Sequence, residues 1–335
     1  MNRSLRLPLG LPTLLLGLLA GTVLPLIAPV YYVHLATEVL ILGLLATAFN
    51  LLFGGTGLLS FGQAAFFATG AYAAAFVLKG VADSMPLALL AGFLAGAVTS
   101  FVVGVLSVRR NEIYFAMLTL AFGQLFAVIY LQSYHLTGGA DGIAGVPRPR
   151  LGPTMLAVNL VPTLNYYLFT LIVVAAALWA LWRVSRSPLG LTLAAIRENP
   201  SRTAYLGIST QRYRLAAFTI AGAFSGLAGA LFAPFQGTVV PDFANWVMSA
   251  EPVLMTLLGG PGSFFGPLLG AVFFVALKDT IGSWTEYWPL VLGTAVILLI
   301  LFLPAGPLGL LNRVSSPGRR EAATRAPIAV AGDRP

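Results

Sequence analysis

The feature that most constrains this chain is a series of apolar stretches, each near the length of a membrane-crossing helix, separated by short charged segments. The stretches cover residues 7–33, 34–53, 60–78, 85–108, 113–131, 164–182, 213–234, 252–277 and 284–303. A helix rising ~1.5 Å per residue needs about 20 residues to cross ~30 Å of hydrocarbon. Inside lipid the backbone must satisfy itself, so each stretch reads as helix. None has the period-two alternation of a barrel strand. Only 9% of the 335 residues are charged, against ~25% in soluble domains. That is too little polar surface to cover a soluble core of this size.

The few charges then orient the chain. Arg3 and Arg6 place the N-terminus in the cytoplasm by the positive-inside rule, and the 7–33 run reads as a retained first span, not a cleaved leader. Counting spans puts Arg109 and Arg110 inside, the 132–163 loop outside, and the segment from Arg183 to Arg214 inside. That segment holds six arginines and one acid, Glu198. The net charge of +8 therefore reads as membrane orientation, not as a nucleic-acid surface.

One span across residues 252–277 would leave the tail outside with Arg313, Arg319, Arg320 and Arg325. Gly259-Gly260-Pro261-Gly262 interrupts that run, and such residues break helices. A broken or re-entrant pair of half-helices returns the tail to the cytoplasm. The break resembles one 205 residues earlier, at Gly54-Gly55-Thr56-Gly57. Ser60-Phe61-Gly62 follows the first and Ser263-Phe264-Phe265-Gly266 the second. Paired interrupted segments point to a transporter repeat around a central pathway. The fold expected is an all-α polytopic helical membrane protein of about 8–10 spans, with broken helices and an internal repeat. The permease domain covers residues 1–309 and a flexible cytoplasmic tail 310–335. Small residues four apart, Gly17/Gly21, Gly92/Gly96, Gly222/Gly226 and Gly262/Gly266/Gly270, suit close helix contacts.

Several chemistries are absent. The chain has no cysteine and only two histidines, His34 and His135, which excludes thiolate sites and nearly excludes imidazole metal clusters. A P-loop needs Gly-Lys-Ser/Thr, and the two lysines, Lys79 and Lys278, both follow leucine. Ion-driven carriers keep ionisable groups within spans. The candidates Glu38, Glu251, Lys278 and Asp279 all read as interfacial, with Glu251 before a proline where a helix begins. An ion-coupled carrier and a membrane-embedded enzyme remain open classes, disfavoured by this scarcity.

The segment from Asn199 to Gly207 reads as a complete short helix. Asn199 suits the N-cap, Pro200 the first turn, and Gly207 the position past the end. Before it, Ser187-Pro188-Leu189-Gly190 ends a linker and residues 191–197 can be helical. The whole cytoplasmic loop, 185–212, is either a tidy connection or a rigid element on which a soluble partner docks.

Several blocks, in order, resemble the membrane subunit of bacterial branched-chain amino-acid ABC importers. They are Leu59-Ser60-Phe61-Gly62-Gln63-Ala64-Ala65-Phe66-Phe67, then Tyr114-Phe115-Ala116-Met117-Leu118-Thr119-Leu120-Ala121-Phe122-Gly123-Gln124. Thr137-Gly138-Gly139-Ala140-Asp141-Gly142-Ile143 follows. The loop adds Ala195-Ile196-Arg197-Glu198-Asn199 and Leu206-Gly207-Ile208. Leu257-Leu258-Gly259-Gly260-Pro261-Gly262-Ser263 and Leu301-Phe302-Leu303-Pro304 complete the set.

The resemblance implies a multi-pass protein of the bacterial inner membrane with both termini cytoplasmic. Its partners would be a second homologous permease, two cytoplasmic ATPases that hold ATP and Mg, and a periplasmic binding protein. This chain would hold no cofactor. The coupling element would use Arg197, Glu198, Asn199, Pro200, Arg202, Ala204 and Gly207. Ser201, Arg202 and Thr203 stand where Glu-Ala-Ala-like residues are expected. The pathway would involve Gly54, Gly55, Gly57, Ser60, Gly62, Gln63, Gln124, Gly259, Gly260, Gly262 and Ser263. Thr137, Gly138, Gly139, Asp141 and Gly142 would face the binding protein. The solute implied is a branched-chain amino acid, with urea or amides as the alternative.

Overall fold

The computed structural model describes residues 28–81, 83–109, 112–151 and 158–284, with isolated positions 21, 22, 25, 290, 291, 293 and 294. Arg3, Arg6, most of the 7–33 and 284–303 runs and the 310–335 tail lie outside the described residues.

The architecture is helical. The helices are α1 (Val30–Thr56), α2 (Gln63–Phe76, continued by a π turn over Val77–Val81), α3 (Met85–Ser107) and α4 (Glu112–Gln132). A one-turn α5 (Tyr134–Thr137) precedes α6 (Thr163–Ser185), α7 (Pro188–Glu198), α8 (Pro200–Tyr205), α9 (Thr210–Gln236), α10 (Trp246–Gly259) and α11 (Gly266–Gly282). The described residues also include 3-10 turns at Gly139–Asp141 and Pro241–Ala244 and four two-residue strands: β1 (Ile143–Ala144), β2 (Arg150–Leu151), β3 (Val158–Asn159) and β4 (Thr238–Val239). They pair β1 with β4 and β2 with β3, both antiparallel. Among the described residues six helices are long and apolar enough to cross a membrane: α1, α2 with its π turn, α3, α4, α6 and α9.

The expected interruption is present. The 252–277 run is two helices, α10 and α11, joined through Gly260, whose φ is +91°. The hairpin is tight: a Cβ on Gly259 would collide with the Gly266 carbonyl, and one on Gly270 with the Met255 carbonyl. Two boundaries differ from the sequence reading. The first half-helix begins at Trp246, after Asn245 in extended conformation, so Pro252 lies inside it. There the proline removes one donor and leaves the Met248 carbonyl without its intrahelical partner. Helix α7 begins at Pro188, so the segment read as linker is already its first turn, where proline is pre-organised.

Side-chain size decides how closely the bundle packs. At Gly70, Gly92, Gly96, Gly222, Gly226 and Gly229, helices α2, α3 and α9 meet nearly backbone to backbone. A Cβ on Gly70 would run into the Gly226 carbonyl, and one on Gly229 into the Phe67 carbonyl. Lipid supplies no hydrophobic drive between spans, so close van der Waals contact must hold them. Gly262 has open space around it and takes no part. Larger side chains fill the centre around α1 and α9, including Leu44, Leu45, Phe67, Tyr166 and Leu231. Helices α1 and α9 are mostly buried, whereas α3 and α4 expose most of their length.

Candidate functional site

The arginine-rich end of the bundle carries α7 and α8 as one rigid unit. Asn199 Oδ1 accepts from the Arg202 backbone N–H at 2.9 Å, the N-cap expected from the sequence. Pro200 occupies the first turn and Gly207 has φ +82°. The buried Thr203 hydroxyl donates to the Asn199 carbonyl at 2.9 Å and to the Ala195 carbonyl at 3.1 Å, which ties α8 back onto α7. Leu193 and Ile196 are buried beneath. On the outside, Ser201, Ala204 and Glu198 are exposed. Tyr205 and Leu206 stand out at 89% and 76% exposure. The sequence reading passed over this apolar pair, because short exposed helices carry no periodic signal.

This unit rests on the first break. The Arg197 guanidinium donates to the Gly54 carbonyl at 2.6 Å. Leu193 lies beside Gly55, and the Arg197 stem beside Gly57. Helix α1 ends there: Gly57 has φ +78° and its N–H bonds the Phe53 carbonyl. A left-handed residue is the common way to close a helix, and glycine adopts it without strain.

The two breaks touch each other. Asn50 Nδ2 donates to the Ser263 carbonyl at 3.1 Å. A Cβ on Gly54 would come within 2.8 Å of the Pro261 carbonyl. One helix turn away, the Thr256 hydroxyl reaches the Ala46 carbonyl at 3.3 Å. The residues after the first break are also tied down. The Phe61 N–H donates to the Thr119 hydroxyl at 3.1 Å, and the Gly62 N–H to the Ser60 hydroxyl at 3.2 Å. The Ala64 N–H donates to the Ser249 hydroxyl at 3.1 Å. Gln63 is fully buried and its Oε1 accepts from the Ser225 hydroxyl at 2.8 Å.

The structure therefore brings Gly54, Gly57, Gly260 and Ser263 to one junction, and Ser60, Gly62 and Gln63 to an adjoining one. Gln124 follows Gly123, which packs against Phe61. Asn50, Thr119, Ser225 and Ser249 belong with these groups and were missed; the first three are single polar residues within apolar runs, and Ser249 lies between two of the runs. Asn50 Oδ1, Gln63 Nε2, Gln124 Nε2 and Ser263 Oγ are buried without a hydrogen-bond partner. Each is an amide or hydroxyl group able to bond water or a polar ligand.

A correction concerns Glu251. It lies inside α10, 7% exposed, and accepts a 3.0 Å salt bridge from Lys278 of α11. The sequence reading set it just before a proline that opens a helix; the start at Trp246 instead puts it within α10, against Lys278 of α11.

At the opposite end, the 132–163 loop is fastened over the end of α9. The Thr137 hydroxyl donates to the Tyr130 carbonyl at 2.5 Å, and Gly138, Gly139 and Gly142 all have positive φ. A Cβ on Gly142 would strike the Val239 carbonyl of β4. Those glycines are demanded by the turn, while Asp141 is exposed. Lys79 Nζ donates to the Ala144 carbonyl at 2.8 Å. Arg148 donates to the Pro234 and Phe235 carbonyls at 2.9 Å each and lies 4.7 Å from the centre of the Tyr166 ring. It thus satisfies carbonyls that the end of α9 leaves open.

Comparison with known proteins follows this geometry. A family model described as "Branched-chain amino acid transport system / permease component" matches residues 31–303. The chain is 33% identical over 297 residues to the high-affinity branched-chain amino acid transport system permease protein LivM of Salmonella typhimurium, covering 82% of this chain and 69% of the relative. It is 27% identical over 286 residues to LivH, the corresponding permease protein of Escherichia coli strain K12, covering 79% and 90%. It is 24% identical over 276 residues to a probable LivM of Methanocaldococcus jannaschii, covering 74% and 77%. No solved structure matches.

Proposed function

The chain belongs to the branched-chain amino-acid transport system permease family, and on that footing we propose that it is the membrane-spanning permease subunit of an ABC importer that moves branched-chain amino acids inward. ATP and Mg bind on separate ATPase subunits, since this chain has no P-loop of its own. A second, homologous permease completes the pathway, in line with similarity to both LivM and LivH. A periplasmic binding protein delivers the solute over the 132–163 loop, with Thr137, Asp141 and the glycines between them at the contact.

The observation that carries this reading is the α7–α8 unit. It is closed by its own caps, presents Tyr205 and Leu206 outward, and presses Arg197 onto the last turn of α1. A rigid unit of that kind transmits displacement instead of absorbing it. When the ATPases close, α8 moves with them, Arg197 carries the motion to Gly54, and Gly54 meets the second break at Pro261. The breaks hold no continuous helical ladder, so they are where the bundle switches between two packings. Solute binding and ATP each bias that two-state equilibrium. Asn50, Gln63, Gln124 and Ser263 supply amide and hydroxyl groups to the polar ends of the solute.

Reconstitution tests the reading. Liposomes holding both permeases, both ATPases and the binding protein take up labelled leucine only with internal ATP; uptake that persists without the ATPases overturns it.

Orientation has its own test. The chain lacks cysteine, so single cysteines report unambiguously. Ser201→Cys, exposed on α8, reacts with an impermeant maleimide only from the cytoplasmic side, and Ala140→Cys, exposed in the 132–163 loop, only from the periplasmic side. Labelling of both from one side disproves the assigned topology.

A further inference from the structure

At the arginine-rich end, helices α3 and α9 flank an open pocket of about 210 Å³. Val105, Val108 and Leu215 supply its apolar wall, and Arg109, Gln211 and Arg212 its polar one. Both arginines are exposed at this rim. Gln211 and Arg212 sit in the first turn of the 27-residue α9, whose unsatisfied N–H groups add positive character.

An apolar track leads away from the pocket along α3. Val98, Val102 and Leu106 are 62%, 54% and 56% exposed. At spacings of four and four residues, with Val105 and Arg109 at three and seven from Val102, they share one face of the helix. The track runs toward the middle of the span and ends at the two arginines.

We propose that this is a binding site for an anionic phospholipid. Its phosphate sits between Arg109 and Arg212, its headgroup hydroxyls meet Gln211, and an acyl chain lies along Val98, Val102 and Leu106. The arrangement fits a molecule with one negative charge at the end of a long apolar body. Free phosphate would use the arginines and leave the track idle. A zwitterionic lipid would bring a cationic group to a rim that is already cationic. Basic pockets between spans are sites of this kind. The proposal is independent of the transport reading: it needs only that α3 and α9 cross the bilayer with these ends at headgroup depth.

The test uses the assembled transporter, stripped of lipid in detergent and titrated with phosphatidylglycerol, phosphatidylcholine or inorganic phosphate, with bound lipid counted by native mass spectrometry. Wild type retains one phosphatidylglycerol per copy of this chain, at least about tenfold tighter than phosphatidylcholine, and inorganic phosphate does not displace it. Arg109→Gln with Arg212→Gln weakens that binding roughly thirtyfold, on the usual strength of a basic residue at an anionic surface. Arg109→Lys with Arg212→Lys keeps most of it. Arg186→Gln, at the end of α6 against Trp182 and outside this pocket, leaves it intact and serves as the folding control. Equal binding of the two lipids, displacement by phosphate, or a double Gln variant that binds as wild type would each overturn the proposal.

Discussion

Gly226→Val yields no folded protein in the membrane. On α9, Gly226 faces Gly92 and Gly96 of α3, and a Cβ there would overlap the Gly92 carbonyl and approach the Gly96 backbone within 2.9 Å. Backbone cannot rotate aside as a side chain can, so α9 must move away from α3 and α2 together. That separation opens the three-helix contact holding Gly70, Gly222 and Gly229 as well. The loss is on the order of 5 kcal/mol or more, comparable to the whole stability of a typical domain. Gly222→Ala should also destabilise, by about 1–3 kcal/mol or more: its Cβ would overlap the Ser100 Cβ, which no rotamer change moves, so α3 must shift there too. Gly282→Ala, with open space around it, should be neutral. Detergent extraction followed by size-exclusion chromatography ranks the three. A monodisperse Gly226→Val peak at wild-type yield would show that the helices do not meet as described.

What the sequence reveals of such a molecule follows from the range of each interaction. Bilayer thickness fixes span length, so the spans can be read from apolar runs alone. The α8 cap is also legible, because Asn199, Pro200 and Gly207 act on their own neighbours. Gly259-Gly260-Pro261-Gly262 announces a break for the same local reason. The contacts that join these parts are different. Arg197 and Gly54 are 143 residues apart, and Asn50 and Ser263 213 apart. Neither pair leaves a periodic trace, so the meeting of the two breaks under α7 had to come from the fold. Glu251 shows how a local rule can mislead: proline often opens a helix, and Pro252 does not. Asn245 precedes the true start, and the difference of about 1.7 turns places the Glu251 carboxylate inside α10, paired with Lys278.

The proposed coupling role gives the α7–α8 unit two separable functions, ATPase binding and transmission, and substitutions should divide them. Tyr205→Ala with Leu206→Ala removes the outward apolar pair without touching the caps. Buried aromatic anchors at interfaces contribute about 2 kcal/mol or more each, so ATPase affinity falls by at least about a hundredfold. The permease itself should extract and elute as wild type, because both side chains already face outward. Transport and binding-protein-stimulated ATP hydrolysis are then lost together. Arg197→Ala should behave otherwise. Its exposed hydrogen bond to Gly54 is one of the charged kind, whose net strength is about 1.5–3 kcal/mol when shielded and less in water. The ATPases still bind and still hydrolyse, yet uptake drops by roughly tenfold per ATP consumed, since the motion of α8 no longer reaches the end of α1. Arg197→Lys restores part of the coupling as a single donor. The measurement is the ratio of leucine transported to ATP hydrolysed in proteoliposomes. If Arg197→Ala keeps the wild-type ratio, the Gly54 contact does not transmit force. If the Tyr205/Leu206 variant still binds ATPases at wild-type affinity, α8 is not where they dock.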